Sequence, residues 1–254
     1  MSRYLRALLR LQSFLSWIFC VLVFAPVILV ISRFYSIKVY GKGNLGNLKG
    51  PLIIVSNHLT LIDSLFIGFV VAFPQSYWKP RRLTWHLPEA TNYSRGMLAP
   101  LVWLGRSIPI LRNVPPGEQK SAKDKVICVL KNKELIHIFP EGTRSRTGRV
   151  ESFTNGIGRI YMRVPDCRVL PVYIRGSENV LPVNCKFPKL FKKIDIVIGK
   201  PQKLASEQKG LRAAVDISEQ IYAILKGMEN EYFEGKMYRA SEIIGENTGC
   251  EDIN

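Results

Sequence analysis

The sequence predicts an α/β fold with a mostly parallel central sheet flanked by helices, preceded by an N-terminal membrane-associated helical segment. Three observations lead there. The run Pro51-Leu52-Ile53-Ile54-Val55-Ser56 is apolar at consecutive positions, the pattern of a strand covered on both faces. Short β-branched runs alternate with stretches of helical spacing. Between Arg10 and Arg33 lie twenty-two residues without a charge.

The uncharged stretch comes first. At about 1.5 Å per residue it makes a helix of about 33 Å, enough for a hydrocarbon core of about 30 Å. It is too long for a signal-peptide core, and no small-x-small cleavage pattern follows before Arg33. Basic residues flank both ends, and Pro26 offers a kink, so a single span and a helix pair dipping into one leaflet are both open. Strands are expected at 36–40, 51–56, 83–86, 107–111, 134–139, 169–174 and 194–198. Helices are expected at 63–72, 93–104, 117–132, 155–164 and 211–227, the last with Leu211, Val215, Ile221 and Leu225 on one face. The organisation is then an anchor over 1–35, an α/β domain over 36–228 and an acidic tail over 229–254. In that tail Glu229, Glu231 and Glu234 read as a solvated face.

Thirty-six Lys+Arg against twenty Asp+Glu leave a formal +16, which points to a polyanionic partner. The charge is uneven. Seven basic and no acidic residues precede Asp63, and the last forty-two residues carry −6 against +22 for the rest. Aromatic RNA-binding motifs and zinc-finger spacing are absent, so nucleic acid is not an expected partner. Five cysteines without a C-x-x-C pair read as reduced thiols, and three histidines are too few for a zinc centre. No metal or bound cofactor is expected.

In a mostly parallel sheet, reactive groups gather where strands end. Two polar clusters lie at such points. In the first, Asn57-His58 is followed after four residues by Asp63, a spacing at which the carboxylate reaches one ring nitrogen if the turn coils. By itself the pair fits an exposed histidine beside a helix-capping aspartate equally well. The second is Phe139-Pro140-Glu141-Gly142-Thr143-Arg144, continuing to Arg146 and Arg149. Its hydroxyl and guanidinium groups suit a phosphate or, alternatively, form a solvated basic turn.

Together the clusters resemble the first and third signature blocks of the glycerolipid acyltransferases typified by 1-acyl-glycerol-3-phosphate acyltransferase. Arg112, closing Ser107-Ile108-Pro109-Ile110-Leu111-Arg112, is similar to the second block, and Val169-Leu170-Pro171-Val172 to the fourth. Leu111 departs from the acidic residue many relatives carry there. The resemblance implies transfer of a fatty acyl group from acyl-CoA or acyl carrier protein to the hydroxyl of a lysophospholipid, by default 1-acyl-glycerol 3-phosphate. His58 would be the general base and Asp63 its orienting group, with no acyl-enzyme. Arg112, Glu141, Gly142, Thr143 and Arg144 would bind the acceptor. Glycerol 3-phosphate, another lysophospholipid or a lyso-aminolipid would use the same machinery. The enzyme would sit at a membrane with its site facing the cytoplasm and its partners would include membrane lipids. The rival classes are a non-catalytic basic module on anionic lipid and a phosphoesterase, the latter lacking the usual metal-binding carboxylates.

Two further groups stand out. Lys186, Lys189, Lys192 and Lys193 beside Phe187 and Phe191 make a basic aromatic patch suited to headgroups, to coenzyme A or to an acidic carrier, or else a solvated loop. Arg81, Arg82 and Trp85 suit an interface, and the Tyr77-Trp78 pair suits an interfacial anchor or, equally, buried packing.

Overall fold

The computed structural model describes residues 3–46, 48, 50–72, 79–90, 99–111, 120–182, 185 and 187–235. Six strands form one sheet in the order β1-β6-β5-β2-β4-β3, with β1 at Ser36–Tyr40, β2 at Leu52–Ser56, β3 at Trp85–His86, β4 at Leu135–Ile138, β5 at Arg168–Arg175 and β6 at Lys193–Ile198. Every neighbouring pair is parallel except β5–β6. The predicted class and most elements are present. Alternation along β2 explains its unbroken apolar run, since Ile53 and Val55 join one core layer and Leu52 and Ile54 the other.

Helix α3, Asp63–Ala72, covers the second layer with Phe66, Ile67 and Val71. The first layer is covered by the helical segments over 120–131, 156–161 and 210–233. The expected helix over 93–104 is described from Ala99 to Leu104 (α4), and the one over 117–132 from Lys120 to Lys131 (α5). Helix α6 spans Gly156–Tyr161, α7 Ser177–Val180 and α8 Gly210–Phe233. A Cβ on Gly158 would lie 2.0 Å from the Ala214 carbonyl oxygen, so glycine is what lets α6 press on α8.

Four expectations are corrected. Residues 107–111 form isolated bridges, His86 with Ser107 and Glu89 with Ile110, and not a strand. Pro88 has no N–H for the Ile108 carbonyl, so the series that runs from the His86 N–H on Arg106 to the Ala90 N–H on Ile110 lacks one rung and the ladder is interrupted. The buried stripe of α8 is Ala214, Ile217, Ile221, Leu225 and Met228, while Leu211 is exposed. Helix α8 also runs through the expected tail boundary at 228. Glu229 is fully buried, accepting the Val150 N–H at 3.0 Å and pairing with Lys226, so it belongs to the body. Finally, Trp85 is buried and donates to Glu134 at 2.7 Å, which removes it from any interface.

The N-terminal segment is one helical run: α1 at Arg3–Phe19, a π turn at Cys20–Phe24 and α2 at Ala25–Ser32. The backbone stays right-handed helical through residues 19–33, with no reversal, so the helix pair is replaced by a single long helix. Pro26 explains the π turn. It has no N–H for the Leu22 carbonyl, and the strain is taken up by widening the turn, with the Ala25 N–H bonding the Cys20 carbonyl. The extra residue also keeps Ala25 and Ile28 on the packed side, below Leu9, Gln12 and Ser16. Residues 6–32 are long and apolar enough to cross a membrane.

Polar contacts tie this helix to the body. Gln12 Nε2 donates to the carbonyls of Trp103 (3.1 Å) and Ser107 (3.2 Å). Arg106, fully buried and at φ +60°, donates to Ser13, Glu134 and the carbonyls of Pro80 and Leu83, and lies over the Trp85 ring. Burial pulls its guanidinium down to about 10, and Glu134 opposes the shift. This cation serves the interior, not a polyanionic partner.

Candidate active site

The loop after β2 is fixed at its first residue. Asn57, fully buried, donates to the Ile174 carbonyl at 2.9 Å and accepts the Ile174 N–H at 2.8 Å, clamping the turn to β5. The chain then coils around one carboxylate. Asp63 Oδ2 accepts the N–H groups of Leu59 (2.6 Å) and Thr60 (2.7 Å) and faces His58 Nδ1 at 3.1 Å, while Oδ1 accepts the Thr60 hydroxyl at 2.7 Å. Thr60-x-x-Asp63 ahead of an apolar helix is the spacing of a capping box, in which the later side chain reaches back to a free N–H. Both readings of Asp63 are therefore realised by one side chain, which caps the start of α3 and also holds the imidazole.

That contact sets the tautomer. An acceptor carboxylate, itself fully buried, requires the proton on Nδ1, leaving Nε2 as the basic nitrogen. Among the described residues nothing bonds Nε2. The ring stacks on Phe139, centroids 3.8 Å apart and planes 15° from parallel, so it cannot tilt away from Asp63. Its main chain is held too, by the Ser145 N–H on the His58 carbonyl (2.8 Å) and by Glu141 Oε1 on the His58 N–H (3.3 Å).

The second cluster comes to the same place because β4 lies beside β2 and delivers 139–145 to the same end of the sheet. Thr143 and Arg144 line a cleft of about 440 Å³ in front of His58. Gly142, at φ +73°, makes the turn between them and Glu141. Glu141 is buried behind the cleft, not on its wall. Among the described residues its Oε2 has no hydrogen-bond partner, and burial pushes its carboxyl up to about 8 against the opposing bond from the His58 N–H. Among the described residues Arg144 has no carboxylate partner, so its guanidinium is available to an anion. Arg149 instead lies over the Phe233 ring at 3.8 Å and Arg146 is exposed, so the three loop arginines do not converge. Pro171 stands mid-strand opposite Val55, away from the cleft. Arg112, Tyr77, Trp78 and Lys186 lie outside the described residues.

Sequence reasoning missed a buried polar chain behind the site. Ser56 Oγ meets His137 Nε2 at 2.7 Å, and His137 Nδ1 meets His86 Nδ1 at 3.3 Å. Burial holds His86 down at about 4 and His137 well below its usual range, so both are neutral. Only the pairing of β2, β4 and β3 brings the three together, and no local spacing encodes it. His86 also lines an apolar groove of about 90 Å³ between α2 and α3, walled by Phe24, Ile28, Leu65 and Phe69, which lies beside the cleft and shares Phe24, Ser64, Leu65 and Gly105 with it.

Solved and sequenced relatives bear on this arrangement. The crystal structure of the 1-acyl-sn-glycerophosphate (LPA) acyltransferase, PlsC, from Thermotoga maritima shares the fold, with a TM-score of 0.52 at 22% identity over 89% of this chain and 99% of that one. The chloroplastic 1-acyl-sn-glycerol-3-phosphate acyltransferase LPAT1 of Arabidopsis thaliana is 23% identical over 168 residues, 66% of this chain and 44% of its own length. Taffazin of Dictyostelium discoideum is 27% identical over 163 residues, 60% of this chain and 55% of its own length. The chain thus spans about half the length of these sequence relatives. The Acyltransferase family model matches residues 36–175, which include His58, Asp63 and the whole 139–144 loop. With more than half of its 254 residues inside that match, the chain belongs to the acyltransferase family.

Proposed function

We propose that the protein is a membrane-associated O-acyltransferase that moves a fatty acyl group from acyl-CoA or acyl carrier protein to the free hydroxyl of a lysophospholipid, with 1-acyl-glycerol 3-phosphate as the default acceptor and phosphatidic acid as product. The observation that carries this reading is the His58–Asp63 pair opening on a cleft that also holds Arg144, which has no carboxylate partner among the described residues. Nε2 of His58 takes the proton of the acceptor hydroxyl as its oxygen attacks the thioester carbonyl. The tetrahedral adduct collapses by breaking the C–S bond, and the imidazolium returns the proton to the departing thiolate. Asp63 stabilises the imidazolium between these steps. Arg144 and Arg112 hold the acceptor phosphate through forked bonds, and Thr143 shapes the entrance. Glu141 supports the loop from behind through the His58 N–H. The apolar groove beside the cleft is suited to an acyl chain.

The long apolar helix, its exposed face and the basic residues before Asp63 support placement at an anionic membrane surface, with the site on the cytoplasmic side. Purified protein incubated with acyl-CoA or acyl carrier protein and a panel of lysophospholipids, glycerol 3-phosphate and lyso-aminolipids, with products read by mass spectrometry, tests the reading. Acylated product from the wild type and none from His58→Ala is the expected result. Phosphate release in place of thioester consumption, or full activity in His58→Ala, overturns it.

A further inference from the structure

The sheet topology places a second feature at the end that carries His58. Strand β6 is antiparallel to β5 and parallel to β1, so the starts of β1 and β6 lie beyond the ends of β2 and β5. Ahead of them sit Phe34 and the loop 187–192. Here Phe187 is 82% exposed, Phe191 77%, Leu190 47% and Phe34 41%. Leaving a large apolar side chain in water forgoes most of the stabilisation burial brings, and a cluster of four marks a contact surface.

This cluster is not a loose loop. The Lys189 N–H bonds the Val180 carbonyl at 2.7 Å, the Phe191 N–H bonds the Phe34 carbonyl at 2.9 Å, and the Ser36 N–H bonds the Lys192 carbonyl at 3.1 Å. Phe191 sits at φ +58°, a conformation an aromatic residue rarely adopts, and its ring meets Phe34 edge-on with centroids 6.0 Å apart. Backbone strain is thus maintained while both rings stay in solvent. Around them lie Lys189, Lys192 and Arg33, and no acidic residue occurs between Glu178 and Asp195. The patch is continuous with the apolar helix, whose last turns expose Val27, Val30 and Ile31 immediately before Phe34.

We propose that Phe34, Phe187, Leu190 and Phe191 form a second membrane contact, seated in the headgroup region of an anionic bilayer with Lys189, Lys192 and Arg33 on lipid phosphates. Together with the N-terminal helix it fixes the tilt of the sheet, so that the end bearing His58 faces the bilayer. Continuity with the apolar helix and the one-sided charge favour lipid over an acidic carrier protein. The inference rests on the membrane placement proposed above, and its test is independent of catalysis.

The full chain is reconstituted into phosphatidylcholine vesicles with and without phosphatidylserine. Phe187→Trp adds a reporter whose emission, taken as the difference from the parent protein, is quenched by lipids brominated on the acyl chain near the headgroup. Quenching that strengthens with phosphatidylserine supports the contact. Emission untouched by brominated lipid overturns it, even if acyl transfer is intact; quenching that persists in a protein without transferase activity leaves the contact standing while the proposed function falls. A second arm uses Phe187→Ser/Phe191→Ser. The rate with acceptor in the bilayer falls about tenfold, the effect of roughly 1.4 kcal/mol of lost apolar burial, while the rate with a short-chain acceptor dissolved as monomer is unchanged. An equal fall with the dissolved acceptor, or a fall confined to acyl carrier protein as donor, assigns the patch to another role and overturns the proposal.

Discussion

Replacing Asp63 by asparagine separates what its carboxylate does for the fold from what its charge does for His58. Oδ2 takes three donors, from Leu59, Thr60 and His58 Nδ1, whereas Oδ1 takes only the Thr60 hydroxyl. The amide oxygen of asparagine will occupy the Oδ2 position, because the reverse orientation sets an NH2 against two backbone N–H groups. Its NH2 then donates to Thr60 Oγ, a hydroxyl that already accepts the Ile62 N–H at 3.3 Å and retains a second lone pair. The fold and the Nδ1–H tautomer are both kept. What disappears is the negative charge beside the imidazolium, and a charge-assisted bond exceeds a neutral one by about 1–1.5 kcal/mol, so kcat falls by roughly 5- to 13-fold. Triads in which the amide forces the wrong tautomer lose about 10⁴-fold. Asp63→Ala, by contrast, leaves two buried N–H groups without acceptors and destabilises the protein by about 2–6 kcal/mol. Single-turnover acyl transfer and urea unfolding measure the two effects. A loss of 10⁴-fold in Asp63→Asn, or unchanged activity, refutes the tautomer argument, and an Asp63→Ala variant as stable as wild type refutes the capping argument.

Three other perturbations follow from the same geometry. Arg144→Ala lowers kcat/KM for a phosphomonoester acceptor by about 10- to 100-fold, the worth of one charge-assisted contact, while an acceptor without that phosphate shows no such loss; steady-state kinetics on the two acceptors checks it. Gly158→Ala drives a methyl group into the Ala214 carbonyl and destabilises the protein by about 1–3 kcal/mol, read as a lower urea midpoint. Stability also depends on pH in a two-sided way. His86 is held down at about 4 and His137 well below the ordinary 6.5, so their contribution is complete above 6.5 and is lost as pH falls below it, whereas Glu141 is held above 4.5, so its contribution is complete below 4.5 and is lost as pH rises toward 8. Two histidines outweigh one carboxyl at acid pH, which places the maximum of these three contributions near 6.5. Urea unfolding from pH 5 to 8 that rises steadily to the alkaline end, in wild type but equally in Glu141→Gln, contradicts it.

How much of this the sequence revealed depends on the range over which each feature is encoded. The buried run 51–56, helix 63–72 and the His58–Asp63 contact are local, and their residue spacing determines them almost without reference to the rest of the chain. Thr60, the partner of Asp63 in a capping box, was missed although the Thr-x-x-Asp spacing carries its signal. Features encoded across strand pairs were not legible. The Ser56–His137–His86 chain requires the register Ile54 to His137 and His86 to His137, and the fate of Arg149 and Glu229 requires α8 to reach the loop 144–150. Net charge misled in the same way. Arg106 is counted in the +16 that suggests a polyanion, yet it is sealed between Glu134, Trp85 and main-chain carbonyls. Pro26 signalled a kink, but whether a proline turns a chain or widens one turn depends on the packing on either side, here Ser16 above and Ile28 below.

The economy of the site lies in its use of a structural necessity. Where a buried strand gives way to a helix, the first N–H groups of the new element have no partner, and in an apolar interior each must find an acceptor. In this chain a single carboxylate supplies it, and because the turn that presents Leu59 and Thr60 to Asp63 must be tight, the residue before them is carried within reach of the same oxygen. That residue is His58. Holding the base therefore adds no separate requirement to the fold, and any variant in which the turn still closes on an oxygen at position 63 will keep the imidazole in place, charged partner or not. Orientation and charge stabilisation are thus two properties of one group, the first shared with an amide and the second reserved to the acid.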